Sequence, residues 1–138
     1  MIIRKLELND YNKGFLELLD QLSDTPKISK TEFENHLKNV NSNIFVIEKD
    51  NVIVASGSVL IEKKIIHNGG KVGHMEDIVV HKSNRGEKLG QIIVEHLINF
   101  AKEKGCYKII ADCKDELLKF YNKTGFEQRG IQIAIYFE

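Results

Sequence analysis

The sequence lacks the features that mark several large classes of protein. Its charges cancel to a formal net charge of zero at pH 7, so it has no basic excess that would favour broad nucleic-acid binding. No apolar run reaches the length of a membrane span, and the first residues carry no signal-peptide pattern. There is one proline, and no internal repeat, linker or low-complexity tract. We therefore expect an ordinary folded protein of the cytoplasm.

Cysteine is also scarce. The two cysteines, Cys106 and Cys113, are not spaced like a metal-binding knuckle, so we predict no metal site and reduced thiols. The 138 residues, 42% hydrophobic and 29% charged, suit one domain with a sizeable core. We therefore expect residues 1–138 to form a single domain.

The pattern of apolar residues predicts both strands and helices. The strands are predicted over residues 2–8, 44–48, 52–61, 72–80, 107–112 and 126–137. The helices are predicted over residues 9–22, 30–40, 89–104 and 115–125, the second of them beginning at a capping box of Ser29 and Glu32.

The connections between these elements predict how the strands pair. Short turns, including Asp50-Asn51, join the early strands, which makes that part of the sheet antiparallel. A helix connects the strand at 72–80 to the strand at 107–112, and such a crossover makes two strands parallel. The fold class is therefore α/β, with a mixed, mostly antiparallel sheet, a central parallel strand pair and about four helices. A ligand cleft is expected where the parallel strands end.

The stretch from Gly73 to Gln91 is the most informative part of the chain. It reads as an apolar strand headed by Glu76 and Asp77, then a basic, glycine-containing loop, then the start of a helix. Free backbone N–H groups and the helix dipole converge at such a turn, so it can bind an anion. An ordinary tight turn before a helix would have the same pattern.

Several segments resemble one known family. They are R-G-E-K-L-G at 85–90, E-K-K-I-I-H at 62–67, G-H-M-E-D-I-V-V at 73–80, G-C-Y-K-I-I-A-D-C at 105–113 and K-F-Y-N-K-T-G-F at 119–126. Together they resemble the eukaryotic-type glucosamine 6-phosphate N-acetyltransferases of the GNAT acyltransferase superfamily. The similarity runs from about Glu62 to Tyr136.

The resemblance implies a GNAT fold and a defined reaction. The acetyl group of acetyl-CoA would pass to the amine of D-glucosamine 6-phosphate, giving N-acetyl-D-glucosamine 6-phosphate for UDP-N-acetylglucosamine biosynthesis. The amine would attack directly in a ternary complex. Two alternatives stay open: a GNAT enzyme that acetylates another small amine or a protein N-terminus, and a non-catalytic module that binds acyl-CoA.

The resemblance also implies which residues contact acetyl-CoA through the strand, the loop and the short helix near the C-terminus. They are Ile78, Val79, Val80, Arg85, Gly86, Glu87, Lys88, Leu89, Gly90, Gln91, Tyr121, Asn122 and Lys123. Lys88 stands where the superfamily pattern has its middle glycine. A lysine fits there if its backbone is not left-handed.

Four residues are the implied catalytic set: Glu76, Ile78, Asp112 and Tyr121. The backbone N–H near Ile78 would face the thioester carbonyl, Glu76 would order a water that deprotonates the amine, and the Tyr121 hydroxyl would bind the departing sulfur. Neighbouring strand residues point to opposite faces, so only one of Glu76 and Asp77 is expected to face the pocket. Surface acids and a packed core tyrosine are the simpler alternatives.

The implied sugar-phosphate contacts are Ser23, Lys64, Ile65, Ile66, His67, Glu76, Asp77, Tyr107, Lys108 and Asp112. In this family part of that set comes from the other subunit of a homodimer, so each active site would be shared. Tyr136 stands where relatives can carry an arginine for the sugar phosphate, which leaves that role to Lys64 and His67. Cys113 beside Asp112 would permit an acyl-cysteine route, but no histidine is evidently placed to activate the thiol.

Overall fold

The computed structural model describes residues 1–138 and contains a five-stranded sheet with helices on both faces. The strands are β1 (Ile2–Lys5), β2 (Asn43–Lys49), β3 (Val52–Lys63), β4 (Lys71–Val80) and β5 (Cys106–Ile110). They lie in the sheet in the order of the sequence, β1 to β4 antiparallel and β4 and β5 parallel. The predicted α/β class and the mixed sheet are confirmed.

The helices are α1 (Phe15–Leu19), α2 (Lys30–Asn39), α3 (Ile66–Gly69), α4 (Leu89–Glu103) and α5 (Leu118–Lys123). Three 3-10 segments, Leu8–Lys13, Lys82–Asn84 and Asp115–Leu117, precede or connect them. α3 is a single distorted turn, because His67 and Asn68 have positive φ angles of 55° and 57°. None of these helices is both long and apolar enough to cross a membrane.

Two of the predicted local signals are confirmed in detail. Asp50 and Asn51, with φ of 51° and 65°, form the tight turn between β2 and β3. Ser29 and Glu32 form the predicted capping box, since the Ser29 hydroxyl accepts from the Glu32 N–H at 3.1 Å and the Glu32 carboxylate accepts from the Ser29 N–H at 3.2 Å.

Each face of the sheet has its own apolar core. α4 covers one face with a stripe of buried residues, which includes Leu89, Ile93 and Leu97. α1 and α2 cover the other face, where Phe15, Leu18 and Phe33 pack against buried residues of β2, β3 and β4. The helix predicted from residue 89 is confirmed and stops before Gly105, whose φ is 84°.

The first predicted helix is wrong in extent. Residues 8–13 form a 3-10 segment instead, and only Phe15–Leu19 is α-helical. Two features interrupt the helix: Gly14 has a φ of 83°, and the fully buried carboxylate of Asp10 accepts hydrogen bonds from Arg4 at 2.8 and 2.7 Å. Leu22, the last residue of the predicted helix, lies outside α1 and is exposed.

The predicted strand at 126–137 is also not formed. Residues 126–138 belong to no strand, so the parallel pair of β4 and β5 lies at one side of the sheet. The segment leaves large apolar side chains in solvent, with Ile131, Ile133 and Phe137 exposed by 87%, 90% and 96%. The alternation typical of a strand is present in the sequence, but this single chain offers it no buried face.

Candidate active site

A β-bulge in β4 is the central feature of the site. Ser58 of β3 pairs with Glu76, whereas Ser56 pairs with Val79, so Asp77 and Ile78 together face the single residue Gly57. A Cβ atom at Gly57 would lie 2.6 Å from Cδ1 of Ile78 and 2.9 Å from Cδ1 of Leu97, so a larger residue there would require these side chains to move. Asp77 accommodates the bulge in its backbone, with a φ of 55°.

The bulge corrects the prediction that Glu76 and Asp77 point to opposite faces. Glu76 pairs with Ser58, and Val79 packs in the core under α1 and α2, so both lie on the same face although they are three positions apart. Asp77 lines a cavity on that face together with Ser58. Both acids therefore face the side of the sheet that α1 and α2 cover.

A third acid completes a negatively charged group. Burial is the main cause that raises the pKa of the Glu76 carboxyl, and the charges of Asp77 and then Asp112 raise it further. Asp112 lies two residues beyond the end of β5 and accepts a hydrogen bond from Gln132 at 3.2 Å. The structure thus brings the predicted Glu76, Asp77 and Asp112 together, with Glu76 holding a proton more readily than an ordinary glutamate.

β4 has a free edge beside this group. Its pairing with β5 ends at His74 and Ile110, so the half of β4 from Met75 to Val80 has no neighbouring strand on that side. The His81 N–H donates to Val54 of β3, and the backbone of Val80 therefore faces the open side. An extended ligand could add here as a further strand, which is consistent with the predicted role of Ile78, Val79 and Val80.

Gln21 was missed by the sequence reasoning. Its side-chain amide donates to the Val80 carbonyl at 3.1 Å, and its amide oxygen accepts from the Lys82 N–H at 3.1 Å. It therefore joins the turn after α1 to the end of β4. No local pattern in the sequence marks this contact, which spans about 60 residues. The predicted Ser23 is exposed in that turn and lines neither of the two cavities described.

A cavity of about 360 Å³ lies past the end of β5. Its lining includes the predicted Asp112 and Tyr121, with Cys113 between strand and helix. Tyr121 is buried, and burial is the main cause that raises the pKa of its hydroxyl, with a smaller contribution from Cys113. Tyr121 therefore keeps its proton at neutral pH and can donate a hydrogen bond.

The loop from Arg85 to Gly90 leads into α4 as predicted. No side chain caps the N-terminus of α4, so its first N–H groups remain available to an anion. Gly86 has a φ of 92°, and Gly90 lets the helix approach α5, since a Cβ there would lie 3.3 Å from Phe120.

Lys88 corrects another expectation. Its φ is 61° and its ψ is 20°, so the lysine is left-handed at the position where the superfamily pattern has glycine. An L-residue in this conformation costs roughly 1–2 kcal/mol. The chain therefore carries local strain at the residue that precedes α4.

Glu87 would place a negative charge in a loop that is suited to anions. The structure pairs it with Lys49 of β2 at 2.8 Å and with Asn84 at 3.3 Å. The hydrogen bond with Lys49 lowers the pKa of Glu87 and raises that of Lys49. Lys49, a second residue that sequence reasoning missed, thus offsets the charge of Glu87.

The predicted phosphate contacts form a separate group. The His67 and Tyr107 rings stack at 3.8 Å, the Lys108 ammonium lies 5.8 Å from the Tyr107 ring, and Lys64 pairs with Glu62 at 3.2 Å. We call His67, Tyr107, Lys108 and Lys64 the cationic group.

Within one chain the length of β3 separates Lys64 from Glu76. Ser58 pairs with Glu76, and β3 from Ser58 to its last residue, Lys63, is about 17 Å long at the usual strand rise. Lys64 follows directly.

The remaining predicted residues lie on the surface. Ile65 and Ile66 are 97% and 66% exposed at the tip of the β3–β4 connection. Asn122 and Lys123 are at the C-terminal end of α5, near Tyr121 but partly or fully exposed. Gln91 is on the first turn of α4 and donates to Glu95 at 3.0 Å.

Comparison with known proteins gives a consistent result. Residues 5–126 match the acetyltransferase (GNAT) family. The chain is 45% identical to the glucosamine 6-phosphate N-acetyltransferase of Arabidopsis thaliana, over 99% of this chain and 96% of the relative. It is 44% identical to glucosamine 6-phosphate N-acetyltransferase 1 of Dictyostelium discoideum, over 96% and 88% of the two chains. The Arabidopsis crystal structure superposes with a TM-score of 0.96 at 44% identity, covering 99% of this chain and 98% of that one.

Replacing Lys88 by glycine should relieve the strain before α4. We expect Lys88→Gly to be more stable than Lys88→Ala by about 1 kcal/mol, because only glycine adopts the left-handed conformation without a Cβ clash. Both variants lose the charge, so their difference isolates the backbone. Urea unfolding measures it, and equal stabilities would contradict a left-handed residue 88.

The Gln21 bridge predicts protection of one backbone amide. Removing a hydrogen bond of about 1 kcal/mol should speed exchange of the Lys82 N–H roughly five-fold in Gln21→Leu. Hydrogen exchange followed by NMR measures this directly. Ser23→Ala, two positions along the same turn, should leave the rate unchanged; an unchanged rate in Gln21→Leu as well would remove the bridge.

Proposed function

The chain belongs to the acetyltransferase (GNAT) family, among the glucosamine 6-phosphate N-acetyltransferases, and on that basis we propose that it acetylates glucosamine 6-phosphate with acetyl-CoA. The product is N-acetylglucosamine 6-phosphate, and residues 1–138 act as one catalytic domain. The observation that carries the proposal is the 45% identity, over almost the whole of both chains, to an enzyme of that name. The bulged strand, the open edge and the uncapped helix agree with it.

Acetyl-CoA fits the features between β4 and β5. Its pantetheine arm lies along the free edge from Met75 to Val80, as a short added strand. Its pyrophosphate meets the free N–H groups from Gly86 to Gln91 at the start of α4. This path brings the thioester to the bulge, with its carbonyl at the backbone N–H of Ile78.

The chemistry needs little strong acid or base. The amine nitrogen bonds to the carbonyl carbon, the C–S bond breaks, one proton leaves the nitrogen and one reaches the sulfur. Glu76, whose pKa is raised, receives the amine proton through an ordered water. The buried, protonated Tyr121 supplies the proton, or a hydrogen bond, to the departing thiolate. The Ile78 N–H stabilises the oxyanion.

A homodimer with shared sites resolves the separation of the predicted substrate residues. Within one chain the length of β3 separates Lys64 from Glu76. In the dimer, Lys64, His67, Tyr107 and Lys108 of each subunit bind sugar phosphate at the acids of the other. The exposed apolar side chains at 131–137, and Ile65 and Ile66, supply the apolar surface that such an interface buries.

Two other functions make different predictions. A GNAT enzyme for another amine would not require the phosphate of the sugar. A silent acyl-CoA-binding module would bind acetyl-CoA without releasing thiol. Neither accounts for the near full-length similarity to enzymes that share one name.

Thiol release from acetyl-CoA tests the substrate. We expect rapid turnover with glucosamine 6-phosphate, and much slower turnover with glucosamine, spermidine or a short peptide, because the cationic group is left without its anion. Turnover with glucosamine as fast as with its phosphate would reject the assignment. Cofactor binding without turnover on any of these amines would favour the silent module.

The role of Tyr121 predicts a separation of binding from chemistry. Tyr121→Phe should lower kcat by about 100-fold, a typical loss for a positioned proton donor, with acetyl-CoA affinity unchanged. Steady-state kinetics and calorimetry measure the two quantities. An unchanged kcat would make Tyr121 a packing residue, and a lost affinity would place its role in cofactor binding.

The acids predict a pH dependence with a definite sign. Burial raises the pKa of Glu76 most, and the negative charge on Asp77 raises it further. Asp77→Asn should therefore lower that pKa and move the acid limb of kcat/KM to lower pH. The test uses the pH at which the acid limb falls, which is a separate quantity from the maximum value of kcat/KM. Asp24→Asn, an exposed acid in the loop after α1, should leave the limb in place. A limb that does not move in Asp77→Asn would contradict Glu76 as the titrating group.

Shared sites predict complementation between two inactive variants. In a shared site, Lys108 comes from one subunit and Tyr121 from the other. A dimer of one Lys108→Ala subunit and one Tyr121→Phe subunit therefore keeps one site in which both residues are intact. Co-expression with random pairing should restore about a quarter of wild-type turnover, although each variant alone is nearly inactive. If light scattering confirms that dimers form but turnover is not restored, each site is built from one chain.

A further inference from the structure

A second cavity, of about 410 Å³, lies between the sheet and the helices α1 and α2. Its lining is mostly apolar and contains no lysine or arginine. The apolar lining residues are Leu6, Phe15, Leu16, Leu19, Ile28, Phe33, Leu37, Val40 and Ile44. We call it the apolar cavity.

The apolar cavity exists because small residues of β3 face α2, and α2 has few large apolar residues to fill the space. β3 presents Ser56, Gly57 and Ser58 here, with large apolar residues only before and after them. α2 has a single buried apolar residue, Phe33, whose ring lies 5.9 Å from the ring of Phe15, and both rings line the cavity. The small residues at the bulge therefore leave space that α2 does not fill.

The floor of the apolar cavity offers no free hydroxyl. Ser56 donates to the carbonyl of Phe45 at 3.1 Å, and Ser58 donates to the carbonyl of Glu76 at 3.2 Å. Both serines are almost fully buried. The interior therefore suits methylene groups better than a sugar or a phosphate, which would need polar partners.

Asp77 connects this space to the reaction site. It lines the apolar cavity, and the residue after it, Ile78, is where the thioester carbonyl is placed by the proposed function. A carbon chain longer than acetyl, bound with its carbonyl at Ile78, therefore begins next to a residue that lines the cavity.

We propose that the apolar cavity takes the acyl tail of donors longer than acetyl-CoA, so that the protein also transfers propionyl, butyryl and similar short acyl groups. This inference rests on the proposed function for the position of the thioester. The step is balanced as for acetyl: a C–N bond forms, the C–S bond breaks, the nitrogen loses a proton and the sulfur gains one. The products are the N-acyl sugar phosphate and free CoA.

The loss of kcat/KM with longer acyl donors distinguishes a site that opens into the apolar cavity from a closed one. A pocket shaped for acetyl alone rejects each added methylene by roughly 10–200-fold in kcat/KM. A site that opens into the apolar cavity should use butyryl-CoA within about ten-fold of acetyl-CoA, because the added methylenes leave water.

Two variants that fill the apolar cavity test the inference, with one matched control. Leu37→Phe and Ile44→Phe add volume to its lining from opposite sides, on α2 and on β2. Leu22→Phe adds the same kind of bulk at an exposed position outside it. We expect both filling variants to lose at least about ten-fold in kcat/KM for butyryl-CoA, keep the rate with acetyl-CoA, and melt cooperatively; the control should behave as wild type.

The outcomes distinguish this inference from the proposed function. Turnover with acetyl-CoA but more than about 100-fold less with butyryl-CoA in the wild type would overturn the inference alone. So would equal losses for both donors in the filling variants. If glucosamine 6-phosphate is not acetylated at all, the proposed function fails; calorimetry then still tests the cavity, since butyryl-CoA should bind more tightly than CoA only when the cavity is unfilled. The wild type could also acetylate the apolar amine phenethylamine. If only the two filling variants lost that activity, the cavity would bind the amine and not the acyl tail, and the inference would be overturned.

Discussion

The site depends on the register shift between β3 and β4, where Asp77 and Ile78 face Gly57 alone. The shift has a packing cause, because Ile78 occupies the space that a side chain at Gly57 would need. It has a backbone cost, because Asp77 is held with a positive φ. Strain of this kind persists only where the surrounding sheet fixes it, and here pairing continues on both sides of the bulge.

The consequences of the bulge reach both substrates. It turns Glu76 and Asp77 to one face, where burial, and then the charges of Asp77 and Asp112, raise the pKa of Glu76. It also coincides with the point where β4 loses its partner β5, so the acids border an open backbone edge. The same small residues of β3 leave the apolar cavity under α2. The acid group, the open edge and the cavity therefore lie next to one another at the bulge.

Most of the fold was predictable because its signals are local. The capping box at Ser29, the turn at Asp50 and the apolar stripe of α4 each depend on residues close in sequence, and each is confirmed. The bulge was not predictable, since it depends on packing between Gly57 and Ile78 across two strands, and so the faces of Glu76 and Asp77 were assigned wrongly. The Gln21 bridge was missed for the same reason. Segment 126–138 has the alternation of a strand but no surface in this chain to bury, so its pattern alone could not determine its structure.

A crystal structure with CoA and glucosamine 6-phosphate would show where both substrates lie relative to the bulge in β4. We expect the pantetheine arm along β4 from Met75 to Val80, the sulfur within hydrogen-bond distance of the Tyr121 hydroxyl, and the Gln21 amide displaced from the Val80 carbonyl. The sugar amine should lie beside Glu76, with its phosphate at Lys108 and His67 of the partner subunit. Pantetheine bound away from the free edge of β4, or a sugar phosphate held within one chain, would contradict this arrangement.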